Sequence, residues 1–405
     1  MPSRIAAAFI LSVLLSSTIS VSPSTPRDSI RKATVGKAIY FITNDDDNAV
    51  IALSINLDGT LSRGTITSTG GAGSNVLAVG GMTTQAPDAL VAQSSLAIVD
   101  NNIFAVNAGS NTLSLMEISA KSPSALKIVG EPATLPGEFP NTVAVSKKNK
   151  LACVAMTGAK AGISCASFST KGLGLMDNLR PFDLNQSTPP IGKFNTVSQT
   201  FFSTDESKLY TTVKGNPATN NTGFFSVFTV DHTNQLSAED VRSSPNGTQI
   251  LFGSTPIPDS PNHVFVTDRA FGAIVLFVDP ETAKVDLVGK GIIEGQIATC
   301  WAAVSHITHS AFVTDGSIDR IVEMSLDNAS VISKLDLFSN GDPGLIDLAV
   351  AGDFIYALSP GNDTDQAAVT VLDISGGQGS ARQIQHFQLG DLGVNKNAQG
   401  MVALS

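Results

Sequence analysis

The chain has few charges, few aromatic rings and almost no cysteine. Charged residues make up 15% of the 405 positions and aromatics 6%, with one Trp and three Cys. The 25 Lys and Arg are outnumbered by 35 Asp and Glu, for a formal charge of −10. A deficit of basic residues excludes a general nucleic-acid binder, which needs a basic footprint to neutralise phosphates. Three cysteines exclude a disulfide-stapled scaffold. No apolar run approaches the 18 or so residues of a bilayer span. The 42% apolar content is too high for a disordered chain. What is abundant is Gly, at 35 residues, together with Ser, Thr and Val in short alternating runs. That composition favours many short strands and tight turns over long helices.

The first twenty residues read as a secretory signal peptide. Arg4 supplies the positive start, Ile5–Leu15 the apolar stretch, and Ser16, Ser17, Thr18 and Ser20 the small-residue end. Residues 21–35, with Pro23, Pro26 and Arg31-Lys32, read as a flexible leader or propeptide. Nothing later in the chain looks like a membrane or lipid anchor. Secretion gives meaning to five N-x-S/T sequons, at Asn185, Asn220, Asn246, Asn328 and Asn362. Cys153 and Cys165 lie in two strand-like runs on either side of a turn near residue 159. Folding that hairpin sets them opposite each other, within disulfide range. Cys300 is then a lone thiol in an apolar stretch, read as buried and inert.

A pair of strands recurs along the chain. Tyr40, Phe104, Cys153, Tyr210, Phe265, Phe312 and Tyr356 mark seven such units, 64, 49, 57, 55, 47 and 44 residues apart. A short strand rich in small residues precedes six of them, and a fourth strand usually follows. Four strands repeating every 40–50 residues predict an all-β, seven-bladed β-propeller over residues 36–405, with two stacked sandwiches as the alternative. The first unit lacks its preceding strand, and the chain ends in one without a blade, Gly400–Leu404. Pairing that end with Ala38–Thr43 closes the ring and removes its open edge.

The repeat form resembles the seven-bladed lactonase-type propellers, which include 6-phosphogluconolactonase-like proteins and secreted fungal 3-carboxymuconate cyclase-like proteins. The stretches that carry the resemblance are Phe104–Ser114, Asp205–Tyr210 and Val313–Ile321. It implies a secreted or wall-associated monomer acting on a small acidic lactone or muconate at the channel mouth, without cofactor or metal. Enzymatic members place a His with Arg and Glu partners there. In this chain the corresponding stretch, Gly137–Val143, holds no His.

In a propeller, the blade-to-blade connections and the loops within the strand pairs share the mouth face. That mapping brings Glu138, Arg269, Lys214 and Asp342 to the mouth as candidate catalytic groups, with Asp347 as a further carboxylate. Asn195, Gln199, Gln296, Arg320, Asn397 and Gln399 become candidate substrate ligands. A carboxylate base beside a guanidinium suits an acidic lactone. The five histidines fall in other turns and outer strands, which counts against His-dependent proton transfer. No His/Cys cluster has zinc spacing. The competing reading is a non-catalytic glycoprotein propeller that binds a protein, glycan or small ligand, because propellers host both kinds of function.

Overall fold

The computed structural model describes Met1 and residues 33–405. The expected signal peptide and most of the leader lie outside the described residues. Thr34 and Val35 already join the ring. Thr34 donates its N–H to Asp353, and Val35 bridges Gly352.

Seven antiparallel sheets follow one another, as the repeat predicts. In chain order their inner strands are Gln399–Leu404, Leu96–Val99, Pro140–Ser146, Val197–Phe202, Leu251–Pro256, Thr299–Ser305 and Leu348–Ala351. The second strands are buried on both faces over most of their length, and Ala38–Ile42, Leu151–Met156 and Phe354–Ser359 are also apolar almost throughout. Each such strand lies between two sheet neighbours and two blades. Every fully covered Ile, Val or Phe contributes about 1.5–3 kcal/mol there. The outer strands alternate instead. Val285–Ile292 alternates buried with exposed positions, and its exposed side carries Asp286 and Lys290 beside Val288 and Ile292.

The last strand closes the ring as expected. Ala38 faces Leu404, Ile39 faces Ala403 and Tyr40 faces Val402, so the first blade is completed by the far end of the chain. Cys153 faces Cys165 in the third blade, and the two are disulfide-bonded. Cys300 is free and buried. Among the described residues no helix is long and apolar enough to cross a membrane.

The 64-residue first spacing has a structural cause. Between Ser68 and Leu96 the chain leaves the first blade and enters the ring. Ala89, Leu90, Val91 and Ala92 are 0% exposed there. Their peptide groups are bonded by blades all round the channel. Gln399 accepts from the Leu90 N–H and donates to the Ala92 carbonyl. Asn141 reaches the Leu90 carbonyl, Lys214 the Val91 carbonyl and Trp301 the Ala92 carbonyl. Gln93 donates to the Ala302 carbonyl and accepts from the Ala302 N–H. Its own N–H goes to Ser198. The segment is a plug that fills the channel. A buried segment of this kind must find partners for its N–H and C=O groups; side chains of the ring take the Leu90 N–H and the Leu90, Val91 and Ala92 carbonyls, and backbone groups take others, as at Val76 and Ser198. Gly253 makes room for it, since a Cβ there would sit 2.2 Å from Gln93 Oε1.

Candidate functional site

The plug decides what the mouth residues do. Of the amides expected to meet substrate, Gln199 and Gln399 are spent on the plug. Gln199 donates to Ser94 and accepts from the Ser254 N–H at 2.5 Å. Gln399 holds Leu90, Ala92 and, at 3.2 Å, the Asp88 carboxylate. Asn397 donates to Asp45 in the first blade's turn. Asn195 accepts from Asn221 in a shallow cleft of about 220 Å³ with Asn185. Gln296 brackets the next turn, donating to the Arg269 carbonyl and accepting from the Thr299 N–H.

Of the charged candidates, two converge and four do not. Asp342 accepts from His386, at 3.0 Å, on the outermost strand of the seventh blade. Arg320 pairs with Asp336 at 2.5 Å, on the outermost strand of the sixth. Glu138 accepts from Thr188, with Lys160 at 3.7 Å. The connection that carries Asp342 runs from the rim of one blade to the axis of the next, and Asp342 stays on its outer part. Glu138 stands two residues before inner strand Pro140–Ser146, but its carboxylate is taken up by Thr188 of the next connection. Asp347, at the inner end of its connection, is fully buried and accepts the Leu348 and Met401 N–H groups.

Lys214 and Arg269 do meet, in a cleft of about 80 Å³ between plug and channel wall. Asp88, Lys193, Phe194, Phe252, Cys300 and Trp301 are among its other lining residues. Each is placed by its element. Lys214 stands near the end of strand Lys208–Asn216 and is 1% exposed. Its ammonium donates to the Val91 and Val197 carbonyls and to Ser198 Oγ, at 2.7, 3.2 and 3.0 Å. It also lies 4.7 Å from the centre of the Phe252 ring. All three of its N–H bonds are used. Arg269 follows the second strand of the fifth blade, where its backbone N–H is tied to Ile250. Lys193 lies in the connection that leads into the fourth blade. Among the described residues, neither the Arg269 guanidinium nor the Lys193 ammonium has a hydrogen-bond or ion-pair partner.

Asp88 is the carboxylate of this group, and the sequence reading missed it. It sits in the left-handed backbone region at φ 76°, on the plug. Burial pushes its carboxyl up, against the pull of Lys214, Gln399, Lys193 and Arg269. Burial pushes Lys214 down, with Asp88 opposing. Lys193 is lowered by burial and by Arg269. Cys300 is raised by burial, as expected for an inert thiol. A carboxyl and two amines whose ordinary pKa values are far apart are thus drawn toward one another. Shifts of this kind, in a cleft, mark a candidate site for acid–base chemistry. The only sequence signals for Asp88 were the long first spacing and the apolar Ala89–Ala92 just after it.

The five histidines lie away from this cleft: His232, His306 and His309 are in turns and His386 is on an outermost strand, whereas His263, expected in a turn, begins the second strand of the fifth blade. Among the described residues no group of three or more His, Cys, Asp or Glu could hold a metal ion. A larger cavity of about 700 Å³ opens at the outer edge of the third and fourth blades. Its charged groups are already satisfied there, with Arg180 bound to Asp177 and to the Leu236 and Ser237 carbonyls.

The buried carboxyls make stability depend on pH. Burial raises Asp347 to about 7. Burial, with Asp342 beside it, raises Asp319 to about 7 as well. The ordinary value is 3.8. The folded ring therefore binds these protons more tightly than the unfolded chain does between about pH 4 and 7. Stability is highest at the acid end of that window and falls as pH rises through 7. The urea midpoint is expected to be higher at pH 5 than at pH 7.5, with a smaller difference in Asp347→Asn. A midpoint that rises over this interval would contradict the assignment.

No protein-family model matches the chain, and no curated protein matches it. Solved structures do match its fold. The periplasmic gluconolactonase of Pseudomonas aeruginosa aligns over 91% of this chain and 99% of its own, at 12% identity and a TM-score of 0.62. A protein from Lactobacillus plantarum aligns over 91% and 100%, at 15% identity and 0.62. A candidate 6-phosphogluconolactonase from Bacteroides uniformis aligns over 69% and 80%, at 14% identity and 0.56. Identities this low carry the fold and not the activity. The chain shares the propeller fold of lactonase-like proteins.

Proposed function

We propose that this protein is a secreted propeller that takes the acid group of a small lactone or muconate-type molecule into the plug-side cleft and turns it over there. Of the branches named by sequence resemblance, the carboxymuconate cyclase-like one is the reading adopted. The observation that carries the proposal is the pair of unpartnered cations, Arg269 and Lys193, beside a carboxyl of raised pKa. Both cations are half-buried, so water screens them only in part, and a bound carboxylate would pair with both. At about 80 Å³ the cleft is well below the roughly 300–1,000 Å³ of sites that enclose drug-sized ligands. It suits an acid head with the rest of the molecule lying toward the mouth.

In this reading Arg269 holds the carboxylate in a forked pair. Asp88, in its ionised fraction, takes the proton of an attacking water, and Lys193 faces the charge that develops on the lactone oxygen. Lys214 fixes the plug and with it Asp88. The test is lactone hydrolysis and muconate cyclisation by the purified protein, its Asp88→Asn variant and its Arg269→Ala variant. The account expects turnover that falls about 100-fold or more in each. Turnover indifferent to both substitutions would remove this site.

A second reading is a non-catalytic glycoprotein that binds a small acid. It is favoured by the plug, which consumes the channel amides, and by the absence of His from the cleft. It predicts binding without turnover. Secretion and glycosylation belong to both readings. Asn185, Asn220, Asn246 and Asn328 are exposed, whereas the Asn362 side chain is half-buried and bonded to Thr364 and Asp365.

A further inference from the structure

The acid cleft holds two lysines in different states. Lys214 gives all three N–H bonds to fixed acceptors and is 1% exposed. Its nitrogen is committed to holding the plug. Lys193 has no hydrogen-bond or ion-pair partner, is half-buried, and lines the same cleft as Arg269 and Asp88. Anion binding alone needs one forked cation, and Arg269 provides it. A second, unpaired amine next to that guanidinium is the arrangement in which a lysine becomes a nucleophile, because desolvation and a neighbouring cation both favour its neutral form.

We propose that Lys193 is an amine nucleophile that forms an imine with small 2-oxo acids held by Arg269. The inference rests on the reading of this cleft as an acid-binding site and adds a chemistry to it. The neutral Nζ attacks the ketone carbon, a C–N bond forms, and the former carbonyl oxygen takes up the amine's proton to give a carbinolamine. Asp88 in its acid form then protonates that hydroxyl, and water leaves. The product is a protonated imine on Lys193 with the Asp88 carboxylate as its counter-ion. No electrons are gained or lost, so no oxidant or reductant enters. The ligand class follows from the lining: a carboxylate for Arg269, an adjacent ketone for Lys193, and few further atoms, because the cleft is small.

The experiment uses pyruvate as probe, with cyanoborohydride to trap the imine and peptide mass spectrometry to locate it. Binding is followed separately by emission of Trp301, the chain's single Trp, which lines the cleft. Labelling at Lys193 is expected to exceed that at exposed lysines roughly tenfold, because Arg269 holds the acid beside it and burial favours its neutral form. Propionate, which has the carboxylate without the ketone, is expected to suppress it. Arg269→Ala is expected to reduce it, and Lys193→Met to abolish it without loss of fold. Pyruvate that changes Trp301 emission but leaves no adduct on Lys193 would overturn the amine chemistry and leave acid binding intact. An adduct spread evenly over surface lysines would overturn it too. No change in emission and no adduct would remove both.

Discussion

Replacing Lys214 by Met is expected to cost the ring about 3–5 kcal/mol, the range for removing one partner of a buried polar network. The side chain is nearly isosteric, so little packing is lost. What is lost is the donor to the Val91 and Val197 carbonyls and to Ser198, all at or beside the channel axis. Val91 adds to the effect. It is β-branched and sits at φ 47°, a backbone conformation that costs on the order of 1–3 kcal/mol and persists only where the surroundings enforce it. Lys214 is the clamp on its carbonyl. Without that clamp the plug loosens, and Asp88 loses the largest of the charges that favour its ionised form. Urea unfolding followed by far-UV circular dichroism measures the cost. Trp301 emission reports the plug directly, because the indole N–H is bonded to Ala92. A loss below about 1 kcal/mol would mean that the plug does not depend on this lysine.

Replacing Arg269 by Ala is expected to have the opposite profile, with little change in stability and a large change in binding. The guanidinium has no partner in the unliganded protein, so its removal leaves no acceptor unpaired. It also relieves repulsion at Lys193 and Lys214. Stability is expected to stay within about 0.5 kcal/mol. A charge-assisted hydrogen bond to a bound carboxylate is worth about 1.5–3 kcal/mol, which corresponds to roughly a 10- to 150-fold weaker affinity for small acids. An affinity unchanged by this substitution would place the acid elsewhere.

These two residues were also the ones that sequence reasoning could reach. Lys214 ends a second strand and Arg269 follows one, and both positions are fixed by the repeat. Blade number, ring closure and the Cys153–Cys165 pairing were readable for the same reason, since strand alternation and spacing are local signals that the sheet then enforces. Glu138, Asp342 and Arg320 do not line the cleft with Lys214 and Arg269, because chain position gives the face of a propeller but neither the distance from its axis nor the partner a side chain meets there. Asp342 lies far enough out to meet His386 on an outermost strand. The plug was illegible for a different reason. Ala89–Ala92 has neither the alternation of a strand nor the period of a helix, and its hydrogen bonds go to residues as far apart as Asn141, Lys214, Trp301 and Gln399. Only the excess length of the first repeat recorded it. Asp88 and Lys193 became visible as site residues once the plug was in place, because the cleft lies between the plug and the wall.

The cleft's preference for acids is the claim on which the account turns, and Trp301 emission tests it in the unmodified protein. The measurement is a titration with propionate and, in parallel, with the uncharged isostere propionamide at equal ionic strength. The account predicts a saturable change with propionate that weakens as pH rises and Lys193 loses its charge, and no saturable change with propionamide. Equal responses to the two, or none to either, would contradict it.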